Sequence, residues 1–189
     1  VFVPMRINQL IEQVIELTQP KWKHEAQAAG VVIEITSELH GAPLVPGVES
    51  ELREALTNLI FNAVDAMPQG GTLTLRTALD EGQVVVEVSD TGIGMTEEVQ
   101  QRCLEPFFST KGDRGTGMGL GMVHGIVQRH EGSIQVESEV GLGTTFILRL
   151  PQLKESEAAR AAIPLAPPMR KLHVLLVEDD LLTRTKFME

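Results

Sequence analysis

Residues 49–90 read ESELREALTNLIFNAVDAMPQGGTLTLRTALDEGQVVVEVSD. At about 100° per residue, Leu52, Leu56, Leu59 and Ala63 fall on one face of a helix over 49–66. Glu51, Glu54, Asn58, Asn62 and Asp65 fall on the opposite face. Pro68 and Gly70-Gly71 end that helix. The period then changes from 3.6 to 2, with Leu73, Leu75 and Leu79 followed by Val84, Val86 and Val88. The Asp80-Glu81-Gly82 turn between these two runs predicts a hairpin over 72–79 and 83–89.

Working outward, Phe2–Arg6 reads as a short lead-in strand and residues 7–29 as a helix, with Leu10, Ile11, Val14, Ile15 and Leu17 apolar. Pro20 is a point of kink or restart, and Gly30 ends the helix. Val31, Ile33 and Ile35 mark a strand. Residues 40–48, with two Gly and two Pro, read as loop. Thr96 is a candidate cap for a short helix opening on Glu97 and Glu98. Residues 105–117 have no usable period. A helix runs from Met118 to His130, with Gly132 at the expected C-cap position and His130 suited to the helix C-terminus through the dipole. Strands over 133–138 and 144–150 flank a Gly141-Leu-Gly143 turn. Mixed strands and helices joined by hairpin-length links predict an α+β fold, a two-layer α/β sandwich whose mixed β-sheet carries its helices on one face.

The chain has 189 residues, 42% hydrophobic and 22% charged, with a formal net charge of −10. Residues 1–150 hold 10 Lys/Arg against 20 Asp/Glu, and residues 151–189 hold 6 of each. An acidic domain is poorly suited to nucleic acid, whose binding rests on neutralising phosphates. A polyphosphate would have to be bound locally, by backbone N–H groups, a metal and a few placed cations. The single cysteine, Cys103, excludes an internal disulfide and suits a reducing, cytoplasmic compartment. No apolar run approaches the ~20 residues of a membrane span. The chain reads as a piece of a longer protein, which the membrane is free to anchor elsewhere.

Four clusters carry the chemistry. Asn58 and Asn62 lie one turn apart on the polar face, where a merely solvated surface would favour Glu or Lys. Their amide oxygens suit an Mg²⁺ shell shared with phosphates and waters. Asp90-Thr-Gly92-Ile-Gly94 follows a strand. A carboxylate there accepts an exocyclic amine proton, as adenine N6 offers, and the glycines let a flat base approach the backbone. Phe107-Phe108 stand in a loop, either plugging the core from outside or anchoring a lid. Lys111 and Arg114 share that loop. Gly115-Thr-Gly117-Met-Gly119-Leu-Gly121 leads into a helix, an arrangement that cradles anions. It lacks the Gly-Lys-Ser/Thr of a Walker loop and the preceding strand of a dinucleotide fingerprint. His24 precedes Glu25 in the first helical pattern and reads as surface. His40, His124 and His173 show no metal-ligand spacing.

Taken together, these clusters resemble the catalytic ATP-binding domain of bacterial sensor histidine kinases, in the superfamily shared with gyrase-type topoisomerases, the large heat-shock chaperone and mismatch-repair ATPases. Asn58–Asp65 resembles the asparagine box, Asp90–Gly94 the first glycine box, Pro106–Lys111 the phenylalanine box, Gly115–Gly121 the second glycine box and Gly141–Phe146 the closing glycine motif. The resemblance implies ATP and Mg²⁺ as ligands. Asn62 would bind the metal and Asn58 assist at the phosphates. Asp90 would hold adenine, with Gly92, Gly94, Met95 and Thr144 around the base. Lys111, Arg114, Gly115, Thr116, Gly117, Met118, Gly119 and Leu120 would close as a lid, with Phe107 as its anchor. Asp65 belongs to the same set, although relatives carry Lys there. Hydrolytic relatives place a Glu four residues before the metal-binding Asn. Here that residue is Asn58, and Glu54, a turn further back, would act only on a nucleophile brought from outside.

The resemblance divides the chain into a catalytic domain over 1–150, an Ala/Pro-rich linker over 151–170 and the start of a receiver domain over 171–189. In the last, Glu178 and Asp179 match an Mg²⁺-binding acidic pair that works only in a complete receiver. The implied partners are a helical dimerisation and His-phosphotransfer domain of the same protein, a response-regulator receiver domain and a second copy of the full-length chain in a homodimer. No nucleic acid is implied. The alternatives are an ATP-driven clamp, a serine kinase of the anti-sigma type and an interaction module that binds no nucleotide.

Overall fold

The computed structural model describes residues 2–28, 30–41, 43–110 and 117–153. Lys111, Arg114, Gly115, Thr116, the expected linker from residue 154 onward and the acidic pair Glu178 and Asp179 lie outside the described residues.

The central element is the helix α3, Glu49–Ala66. It buries Leu52, Leu56, Leu59 and Ala63, as the 3.6-residue period requires, and adds Ala55, Ile60 and Val64 to give a wider apolar stripe. Glu49 and Glu51 place negative charge at its N-terminal turn, where the dipole favours it. Two helices flank it, α1 over Ile7–Gln19 and α5 over Gly119–Arg129.

All three rest on one face of a five-stranded sheet. Its strands are β2 (Ile33–Leu39), β4 (Gly71–Asp80), β5 (Gln83–Asp90), β6 (Ser133–Glu139) and β7 (Gly143–Pro151), in the order β2-β4-β5-β7-β6. Strands β2 and β4 are parallel because α3 crosses between them, and the remaining pairs are antiparallel. Leu73, Leu75, Val84, Val86, Leu148 and Leu150 face the helices and are buried. Thr74, Arg76, Glu87 and Arg149 take the alternate positions and point away. The expected two-layer sandwich with a mixed sheet is therefore present, including the hairpin at Glu81-Gly82.

Three local expectations are corrected. Residues 40–48 are not all loop: β3, Leu44–Gly47, pairs antiparallel with β1, Val3–Arg6, as a separate two-stranded ribbon. Pro46 is tolerated because a ribbon this narrow is all edge. The break expected at Pro20 in the first helix is present. After Gln19 the chain takes a wider π-type turn over Pro20–Glu25 before a last short helical turn, α2, Ala26–Ala28. Gly132 does not supply the left-handed residue that closes α5. Glu131 does, at φ 56°, and its N–H and that of Gly132 bond the carbonyls of Gln128 and Val127. Gly132 is needed because a Cβ there would meet the Arg149 carbonyl oxygen of β7 at 2.5 Å. Residues 151–153 are not yet linker: Pro151 closes β7 and the Leu153 N–H bonds the Leu44 carbonyl at 2.8 Å.

His130 is corrected as well. It caps α5 but is 0% exposed. Its Nε2 accepts the Val48 N–H at 3.0 Å, just before α3, and its Nδ1 donates to the Ile126 carbonyl at 2.8 Å. An accepting Nε2 requires a neutral ring, so no cationic interaction with the dipole operates. Phe2 stacks on it with centroids 4.9 Å apart. One side chain thus ties the β1–β3 ribbon, α3 and α5 together. His130→Ala is expected to cost about 2–4 kcal/mol in chemical denaturation, through lost packing and an N–H left buried without its acceptor.

Candidate functional site

A cavity of about 500 Å³ opens between α3, the loop after β5, the segment around Phe108 and the start of α5. Asn58 and Asn62 line it from α3, and Asp65 follows at the rim. The Asn58 Nδ2 donates to the Glu54 carbonyl at 3.0 Å, which turns its Oδ1 outward. Gly119, the first residue of α5, faces that oxygen: a Cβ built there would lie 3.4 Å from Asn58 Oδ1 and 3.9 Å from Asn62 Nδ2. The amide pair and the end of the glycine run therefore meet across the cavity.

Asp90 closes the opposite end and is buried. Burial holds its carboxyl above the usual carboxylate range, offset in part by hydrogen bonds from the backbone N–H groups of Gly92 and Thr144. The Gly92 bond is 2.8 Å. The loop that follows is pinned on both sides, by Ile93 N–H to the Ala66 carbonyl and by Met95 N–H to Ser138 Oγ. Ser138 in turn bonds the Gly143 carbonyl and Thr144 Oγ1. Gly94 has φ 65°, and any Cβ there would overlap the Glu139 carbonyl oxygen, so the loop demands glycine.

Of the residues singled out in the sequence, Asn58, Asn62, Asp65, Asp90, Gly94, Met95, Gly117, Gly119, Leu120 and Thr144 line this cavity. Glu54, Gly92, Phe107 and Met118 are outside its lining. Glu54 is exposed one turn before Asn58, and Gly92 acts behind Asp90. Phe107 does not plug the core: it is 79% exposed, with φ 67°. Its N–H bonds the Gly117 carbonyl at 2.9 Å. The neighbouring Phe108 lines the cavity instead, with the Arg102 guanidinium 4.5 Å from its ring centroid.

Sequence reasoning missed the apolar wall made by Phe61, Val99, Cys103 and Phe146. Phe61 and Phe146 stood inside recognised motifs without being singled out, and Val99 and Cys103 stood in none. Burial raises the Cys103 thiol above its ordinary value, so it serves as wall rather than nucleophile. Ser138 gave no signal, because its role arises from the fold bringing β6 to the loop.

The cavity joins an apolar slot ending in a carboxylate to a polar end with two amides. It fits a flat, amine-bearing base at one end and an anionic group at the other. Among the described residues, no group of three or more His, Cys, Asp or Glu could hold a metal ion. The amide oxygens suit the alternative, a hard cation held chiefly by the ligand's own phosphates. Nor does any helix among the described residues have the length and apolarity to cross a membrane.

Fold and cavity together define a nucleotide-binding α/β sandwich of the ATPase type. The chain belongs to the family described as histidine kinase-, DNA gyrase B- and HSP90-like ATPase, whose model matches residues 47–154. It is 41% identical over 184 residues to the sensor kinase CckA of Brucella abortus, covering 82% of this chain and 19% of that protein. It is 34% identical over 155 residues to sporulation kinase C of Bacillus subtilis, covering 82% of this chain and 35% of that protein. The chain thus spans about a third or less of the length of these relatives. Among solved structures, it matches the catalytic domain of the histidine kinase ThkA with a TM-score of 0.69 at 26% identity, over 80% of this chain and 96% of that one. It matches full-length ShkA in complex with AMPPNP with a TM-score of 0.70 at 30% identity, over 81% of this chain and 31% of that one.

Proposed function

We propose that this domain binds ATP with Mg²⁺ and passes the γ-phosphoryl group to a histidine on a separate helical dimerisation domain of the same parent protein. The observation that carries this reading is the approach of Gly119 to the Asn58 and Asn62 amides inside a cavity that ends at Asp90. The ATP analogue held by ShkA and the kinase names of the relatives support it. Mg²⁺, when bound with the nucleotide, neutralises charge that develops on the phosphate oxygens. Asn62 and Asn58 present the oxygens that hold that ion and orient the phosphates. Asp90 accepts the adenine amine proton, and Thr144 supports Asp90 through its N–H. Lys111, Arg114, Gly115 and Thr116, outside the described residues, would complete the phosphate lid.

In the transfer, the acceptor imidazole nitrogen forms the new N–P bond, the bond between the γ-phosphorus and the bridging oxygen breaks, and ADP leaves. Water competes poorly, because a neutral amide rather than a carboxylate stands at 58. Glu54, exposed one turn before Asn58, would act only on a nucleophile delivered from outside. A cytoplasmic location, a homodimeric parent and a receiver domain beginning near residue 171 complete the proposal.

The test mixes this chain with the His-bearing helical domain of its parent and labelled ATP. Label on histidine of the helical domain is expected. Label appearing as free phosphate at clamp-ATPase rates, or on serine, would contradict the assignment.

A further inference from the structure

Asp65 lines the nucleotide cavity, two turns after Asn58 on α3. It also lines a smaller neighbouring cavity of about 270 Å³, together with Lys21 and Glu25. The residue is thus shared between the two. The Lys21 Nζ lies 3.5 Å from Asp65 Oδ1 and 3.6 Å from Glu25 Oε2. Lys21 belongs to the π-type turn that follows Pro20, and that turn packs against α3. Proline has no N–H for the helical ladder, and the wider turn here puts the ammonium beside α3. Wide turns of this kind recur at functional positions.

The charge balance gives the pair a consequence. The described residues lining the nucleotide cavity include two carboxylates, Asp65 and Asp90, and neither Lys nor Arg. Asp90 is buried, whereas Asp65 is 38% exposed and follows Asn62 by three residues on α3. A triphosphate remains anionic with magnesium bound, so a carboxylate beside its path opposes it unless a cation offsets the charge.

We propose that Lys21 is a positioning residue for the nucleotide, which holds the Asp65 carboxylate and offsets its charge so that a polyphosphate can approach α3. The proposal rests on the nucleotide reading and adds to it a residue from outside every cluster recognised in the sequence.

The test is calorimetric titration of the whole chain, wild type and variants, with ATP·Mg²⁺, ADP·Mg²⁺ and adenosine. The pair is about a third exposed, so Lys21→Ala is expected to stay folded, which a thermal melt checks. At low salt that variant should bind ATP about three- to tenfold more weakly. ADP should be affected less and adenosine not at all, and added salt should shrink the difference. Lys21→Arg should restore binding, and so should Asp65→Asn placed on Lys21→Ala, by removing the charge that Lys21 offsets. Unchanged ATP affinity in Lys21→Ala would overturn the proposal. So would equal losses for ATP and adenosine, or no rescue by Asp65→Asn. A wild-type chain that binds adenosine but gains nothing from the phosphates would instead overturn the nucleotide reading, and this proposal with it.

Discussion

Asn62→Ala is expected to lower the rate of phosphoryl transfer to the helical acceptor domain by at least about 100-fold, because a donor set for the metal and phosphates cannot be replaced by water in the same geometry. The same substitution should leave the domain folded, with any change in stability small beside the loss of transfer. The residue is on the polar face of α3, clear of the apolar stripe, and alanine is the better helix former. Loss of transfer with a preserved melting curve therefore separates a ligand-binding amide from a structural one. Adenosine binding, which depends on the other end of the cavity, should persist.

Asp90→Asn is expected to separate stability from binding in the opposite direction. Burial disfavours the ionised carboxyl, so its folded-state pKa lies above the unfolded value. The stability linked to this group is then fully present below the unfolded pKa and is lost as pH rises through the folded value. An amide carries no such charge. The variant should melt higher than wild type at neutral pH, and its melting temperature should lose the part of the pH dependence that Asp90 supplies. Nucleotide affinity should fall about 10- to 100-fold, because the Gly92 N–H claims the one remaining oxygen and turns an NH₂ donor toward the adenine amine. In the wild type, ATP affinity should decline on acidification, beginning above the pH at which an ordinary aspartate would protonate. Thermal melts and titrations at a series of pH values read both effects.

Both experiments probe elements that were legible in the residues themselves. The apolar stripe of α3 was visible because a long helix repeats its pattern, and the β4–β5 hairpin because the period changes across a short turn. The Thr96 cap was visible because its rule is local: the side chain accepts the Val99 N–H. What escaped depends on partners distant in sequence. Strand β3 exists because β1 pairs with it, and its Pro and Gly content argued for loop. His130 joins Val48 across 82 positions, which no local pattern encodes. In the loop at 107–108, two adjacent phenylalanines look alike as letters. A backbone at φ 67° turns the first outward and leaves the second to line the cavity. Lys21 escaped because its meaning depends on the charge of a residue on another helix.

The proposed function requires the Asn58 and Asn62 amides to meet a metal-bound triphosphate beneath the start of α5. The most direct measurement is the NMR signal of those two side-chain NH₂ groups during titration with ATP, first with Mg²⁺ and then with paramagnetic Mn²⁺. Both signals should shift with ATP·Mg²⁺, stay in place with adenosine alone, and broaden selectively with Mn²⁺, Asn62 most strongly. Binding of ATP that shifts the loop at 90–95 but leaves both amide signals unmoved and sharp in the presence of Mn²⁺ would contradict it.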